Sequence, residues 1–208
     1  MDKQTELEIL CDEIERNDLL PLRGSANLVF GEGNSDCKVM FVGEAPGSNE
    51  DRLRRPFVGR AGKLLDAMIA TIGWKREDVY ITNIVKRRPP ENRDPFPAEI
   101  EAYKPYLSRQ IDIIDPKIIA PLGRFAMNYF LPNARISTDQ GRTFWLGERI
   151  IMPIYHPAAA LRSSAVLEEL KKSFHKLRAA SEKYEEFVIR KRSKANGLTG
   201  TDADFQAL

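Results

Sequence analysis

Four short segments of the sequence gather residue types that do chemistry. GEAPGSNED (43–51) sets Glu44, Glu50 and Asp51 around two glycines and a proline, a tight turn able to present a carboxylate to a pocket for general acid or base work. A plain surface turn has the same composition. The acidic side chains would repel phosphate, and no Gly-Lys-Ser/Thr follows, so a nucleotide-dependent ATPase is not expected. NIVKRRPPENR (83–93) joins Asn83 to the basic run Lys86, Arg87, Arg88 and to two prolines that stiffen the loop. A carboxamide holds one donor and one acceptor in fixed geometry, which suits reading one edge of a pyrimidine. A turn-stabilising Asn beside a solvated basic loop fits equally. HPAAALR (156–162) puts His156, a residue type able to move protons near neutral pH, ahead of a small-residue loop ending in Leu161 and Arg162. Such a loop could enter a DNA groove and push a base out, or simply lead into a helix. RRPFVGRAG (54–62) is inserted between the first two segments.

These segments need a frame that brings them to one edge. The apolar runs VMFVG, VYITNIV (79–85), KIIAPLG (117–123) and RIIMPIY (149–155) read as buried strands. Helical patterns at 60–73 and 97–114 lie between them. The alternation predicts an α/β fold, a three-layer α/β/α sandwich with a central, mostly parallel four-stranded sheet. In such sheets ligands bind beyond the carboxyl ends of the strands, where three of the four segments fall. Leu7, Leu10 and Ile14 predict an amphipathic helix over 4–16 that leads through a loop to residue 24 and packs on the body as a lid. Residues 164–192 read as one long charged helix, and 193–208 as a frayed tail, so 1–192 forms the single domain.

The 32 basic and 30 acidic residues nearly cancel, so DNA binding would have to come from a local patch. Two cysteines, Cys11 and Cys37, are too few for a disulfide framework and read as free thiols. Neither a signal peptide nor a membrane span is expected from the apolar pattern.

Taken in order, GEAPGSNED, RRPFVGRAGKLLD, DVYITNIVKRRPPENR and YHPAAALR closely resemble the family 4 uracil-DNA glycosylases, from about Asn27 to about Arg162. The resemblance implies an enzyme that flips uracil out of DNA and hydrolyses its bond to deoxyribose, leaving an abasic site. Phe57 would stack on the uracil, Asn83 would read its Watson–Crick edge, and Gly43 and Ala45 would line the pocket. His156 would donate to the departing base. Glu50, held by Asn92, would position the attacking water, with Glu44 as second candidate. Lys86, Arg87, Arg88, Arg60, Leu161 and Arg162 would contact DNA. The implied partner is uracil-containing DNA. The expectation is a cytoplasmic, nucleoid-associated monomer with no membrane contact and no obligate protein partner. Gly47 leaves the pocket wall without the aromatic side chain that another branch uses to reject thymine.

The sequence departs from the family at one feature. Family members usually hold a four-iron four-sulfur cluster through four cysteines, and those positions here read Asn17, Leu20, Arg87 and Tyr103. No iron-sulfur cluster and no other cofactor is therefore expected. Leu20 against Tyr103, with Asn17 or a nearby acid meeting Arg87, would fill the space. A non-catalytic DNA-binding member that keeps the pocket is the alternative. Covalent trapping on the abasic product is not expected, because 86–93 contains no histidine.

Overall fold

The computed structural model describes residues 1–195. The Asp2 carboxylate accepts from the Thr5 N–H at 2.9 Å and so starts α1 (Lys3–Arg16), whose Leu7, Leu10 and Ile14 are buried. The chain then forms β1 (Glu32–Gly33), β2 (Val39–Gly43), α2 (Ser48–Leu53), α3 (Arg60–Thr71), β3 (Tyr80–Asn83), α4 (Pro97–Ile114), β4 (Ile118–Pro121) and α5 (Gly123–Phe130). It continues through α6 (Ile136–Asp139), β5 (Phe144–Leu146), β6 (Arg149–Ile151), α7 (Pro157–Ala160), α8 (Ser164–Glu182) and α9 (Tyr184–Ala195).

The fold is α/β, but the sheet corrects the four-stranded expectation. Six strands run in the order β1-β3-β2-β4-β6-β5. The inner β3-β2-β4-β6 are parallel, and β1 and β5 flank them antiparallel, so the sheet is mixed. The flanking strands span two and three residues, too short to leave a period in the sequence. Every residue of β2 is buried, because helices cover both faces. Val39 and Phe41 meet Leu65, Ile69, Phe174 and Leu177 of α3 and α8. Met40 and Val42 meet Leu10, Ile14, Tyr103 and Leu107 of α1 and α4. Each such side chain contributes about 1.5–3 kcal/mol by leaving water.

The long helix expected over 164–192 is two helices. The Lys183 N–H closes α8 on the Ala179 carbonyl at 3.0 Å, and the break lets Tyr184 bury and donate to the Glu148 carbonyl at 2.5 Å. Helix α9 carries the fold into the first residues of the expected tail; 196–208 lies outside the described residues. No helix among the described residues is long and apolar enough to cross a membrane.

The parallel strands finish together. Gly43 is in register with Asn83 and Val42 with Pro121, and Leu122 bridges Ile154. The segments after β2, β3, β4 and β6 therefore emerge at one edge.

Candidate active site

Gly43 and Asn83 end adjacent strands, and the Asn83 amide and the Phe57 ring pack directly against Gly43. A Cβ at Gly43 would lie 2.3 Å from Asn83 Oδ1 and 2.6 Å from two atoms of the Phe57 ring, so only hydrogen fits. Asn83 is 1% exposed, and its Oδ1 has no hydrogen-bond partner. Buried acceptors are almost always satisfied, so this oxygen beside an aromatic ring is available to accept from a bound donor.

Phe57 adopts a left-handed backbone at φ 51, which costs on the order of 1 kcal/mol and must be held by its surroundings. Arg76 does this, donating to the Pro56 carbonyl at 2.5 Å and also engaging Glu32 at 2.8 Å and Asp66 at 2.5 Å. Gly62 lets α3 approach, since a Cβ there would sit 1.8 Å from the Phe57 carbonyl oxygen. Neither residue is singled out by the sequence reading. Arg76 lies outside every motif, and its role depends on three partners far apart in the chain.

The His156 ring lies 5.7 Å from the Phe57 ring, centroid to centroid. His156 caps α7, its Nδ1 accepting from the Ala158 N–H at 3.1 Å. A neutral ring whose Nδ1 accepts carries its proton on Nε2. Burial pushes the imidazole pKa down to about 4, with the Glu50 charge acting in the opposite direction, so the ring is neutral at pH 7.

Glu50 stands in the first turn of α2, and its Oε1 accepts from the Val58 and Gly59 N–H groups at 2.9 and 2.7 Å. Gly47 and Gly59 make room for it; their Cβ atoms would come within 2.8 and 3.1 Å of its two oxygens. The expected Glu50–Asn92 contact is not formed. Asn92 accepts from Arg88 Nε at 2.7 Å instead, in a loop where both Glu91 and Asn92 have positive φ. Backbone amides reach Glu50 more closely than the loop does.

Glu44 follows Gly43 and is half-buried, with Ala45 packed against the α1–α4 side of the core. Burial and then the Asp94 charge push the Glu44 carboxyl up to about 7, against the pull of Arg124. This shift and that of His156 have opposite effects on stability. Between pH 4 and 6.5 the unfolded chain takes up a proton that folded His156 refuses, so stability falls as pH falls, by up to about 1.4 kcal/mol per pH unit. Between pH 4.5 and 7 folded Glu44 keeps a proton that the unfolded chain has lost, so stability falls as pH rises. The two offset each other in the wild type. Thermal melts across this range should separate them: relative to wild type, the melting temperature of His156→Asn should drop as pH rises, and that of Glu44→Gln should climb. Parallel curves for all three proteins would refute both shifts.

The basic run divides, and two residues expected on DNA are corrected. Lys86 is fully buried, donating to Thr82 Oγ1 and Gln110 Oε1 at 2.6 Å each, and burial drives its pKa well down. Arg87 is 2% exposed and donates to the Ala26 carbonyl at 2.8 Å and to Glu15 at 2.6 Å. Both tie the loop to the α1 and α4 side, so neither can reach a phosphate. Arg88 lies closer to the surface, Arg60 and Arg162 are exposed, and Leu161 is 42% exposed beyond α7.

The four cluster positions do not fit a cluster. Tyr103, fully buried, donates its hydroxyl to the Pro21 carbonyl at 2.7 Å, and Asn17 donates to the Tyr106 hydroxyl at 2.7 Å. Leu20 is buried in the same core as Tyr103, and the acid that meets Arg87 is Glu15 rather than Asn17. The space is filled and holds no thiolate. Cys11 and Cys37 are free, and among the described residues no three His, Cys, Asp or Glu side chains could together hold a metal ion.

Fold and site together define an α/β protein whose strand ends gather a buried carboxamide, an aromatic ring, a neutral imidazole and an amide-held carboxylate. A sequence model of the uracil DNA glycosylase superfamily matches residues 30–180. A Type-4 uracil-DNA glycosylase of Thermotoga maritima is 41% identical over 177 residues, 80% of this chain and 92% of that protein. Those of Sulfurisphaera tokodaii and Archaeoglobus fulgidus are 50% identical over 162 residues and 46% over 160, covering 73% of this chain and 74% and 80% of their own lengths. The chain belongs to the uracil DNA glycosylase superfamily.

Proposed function

We propose that this protein excises uracil from DNA by hydrolysis of the N-glycosidic bond, releasing free uracil and leaving an abasic site. The orphaned Asn83 Oδ1 beside Phe57 carries the reading. Uracil presents an N3–H donor and an O4 acceptor, which the Asn83 amide complements, whereas cytosine presents an acceptor and a donor at those places. Wrong pairing would leave buried polar groups unsatisfied, at about 1–3 kcal/mol each. Phe57 stacks on the ring.

As the bond breaks, the base leaves as an anion and the sugar becomes cation-like. The Nε2–H of neutral His156 donates to the developing charge on the base without protonating it. Glu50 supplies negative charge near the sugar and orients the attacking water. Its carboxylate is fixed before substrate arrives, whereas Glu44 is the softer candidate, close to half-protonated at neutral pH. Asn92 acts from the loop edge. Leu161 fills the gap left by the extruded base, and Arg60, Arg88 and Arg162 meet phosphates. The protein works as a cytoplasmic monomer in a single domain without an iron-sulfur cluster, because side chains occupy the ligand positions.

An oligonucleotide carrying one uracil, followed by alkaline cleavage, tests this. Uracil release by colourless protein, reduced at least about 100-fold in Asn83→Ala, is the expected result. DNA binding with no release would instead mark a non-catalytic member.

A further inference from the structure

Arg124 stands next to the backbone that carries His156. It occupies the first turn of α5, one residue after Gly123, whose N–H donates to the Ile154 carbonyl at 2.8 Å. Gly123 has φ 86, and a Cβ there would lie 2.9 Å from His156 Cβ, so the backbone bearing Arg124 abuts the backbone bearing His156. The Arg124 charge also acts on Glu44, the residue after β2. The guanidinium lies over the Phe125 ring, 4.4 Å from its centroid, and is exposed.

Several other arginines are committed internally. Arg76 and Arg55 hold Glu32, Arg87 holds Glu15, and Arg93 makes a two-pronged pair with Glu99. Arg124 makes no hydrogen bond or ion pair within the described residues, and the same is true of the guanidinium groups of Arg60 and Arg162. In the chain the three follow Phe57, the end of β4 and His156 respectively, so each places an uncommitted guanidinium within a few residues of a part of the site. A guanidinium left free on a ring face keeps its donor fork available for a two-pronged contact with a phosphate. Its aromatic support limits the freedom it must lose on binding.

We infer that Arg124 is a positioning residue that grips a DNA backbone phosphate beside the extruded nucleotide and so fixes the sugar between His156 and the Glu44–Glu50 turn. The inference rests on the glycosylase reading of the site, yet its test does not. Each phosphate contact releases counterions, so removing one lowers the slope of log affinity against log salt by about 0.9 on duplex DNA.

Binding and single-turnover cleavage of a duplex bearing one uracil should be measured over a range of salt for wild type, Arg124→Ala, Arg124→Lys and a control, Lys183→Ala, at the far end of α8. The expected result is about a 10-fold loss of kcat/KM at low salt in Arg124→Ala, a salt slope lower by about one, and partial recovery of both in Arg124→Lys. Lys183→Ala should keep the wild-type slope. A wild-type slope in Arg124→Ala overturns the proposal, whether activity is retained or is lost together with thermal stability. If wild type bound DNA but released no uracil, the glycosylase reading would fail, and the binding slopes alone would still decide the role of Arg124.

Discussion

Gly43→Ala is expected to lower kcat/KM for uracil release at least about 100-fold while leaving a folded protein. The added methyl would sit 2.3 Å from Asn83 Oδ1 and 2.6 Å from the Phe57 ring, well inside contact distance. Neither neighbour can give way freely. Asn83 is in register with Gly43 in the interior of the sheet, and the Phe57 backbone is fixed by Arg76 and by the close approach of α3. The ring must therefore shift, and on the proposed reading, in which Phe57 stacks on the base, a misplacement of about an ångström accounts for the loss. Overpacking of this kind also costs about 1–3 kcal/mol of stability. Single-turnover cleavage together with a thermal melt would check both effects. Wild-type turnover in Gly43→Ala would place the base elsewhere.

Arg87→Ala should be strongly destabilising although it lies outside the site. Truncation leaves the Ala26 carbonyl and one Glu15 oxygen without their donors and opens a cavity beside Tyr103. Because Glu15 remains partly exposed, the loss falls short of that for a fully buried pair, at about 2–3 kcal/mol, or about 4–12 °C in Tm. Tyr103→Phe removes the bond to the Pro21 carbonyl together with the contact of the hydroxyl with Arg87, and should cost about 1 kcal/mol. The Arg87 charge acts on the Tyr103 hydroxyl, so the double variant should depart from additivity. A melt of Arg87→Ala that matches wild type would mean that these side chains occupy the former ligand positions without bracing the fold.

The inner strands and the longer helices α1, α3 and α4 were legible in the sequence because buried parallel strands and amphipathic helices leave runs and periods, whereas α2, α5, α6 and α7, of four to eight residues, were not read. Helix 97–114 matches α4 from end to end. Strands β1 and β5 left no signal, since two or three residues carry no period. The charged triplet at 86–88 misled for a different reason. Charge predicts solvent only when no partner waits inside, and the partners of Lys86 and Arg87 lie between 4 and 72 residues away. Asn83, Gly43 and His156, by contrast, converge in the structure because each ends or follows a strand that the pattern already located, and Phe57 joins them from the loop between α2 and α3.

The two short flanking strands bear on how the protein behaves in crowded solution. Long apolar strands with open edges recruit other chains by adding backbone hydrogen bonds, the first step toward aggregation. Here the four inner strands are paired on both sides, and the sheet ends in a two-residue strand containing Gly33 at φ 129 and a three-residue strand that turns back at Gly147. Glu32, on the first of these, is held by Arg55 and Arg76 and places charge on that rim. A neighbouring molecule thus finds too little regular backbone to extend the sheet, and self-association by strand addition has to wait until β1 or β5 peels away.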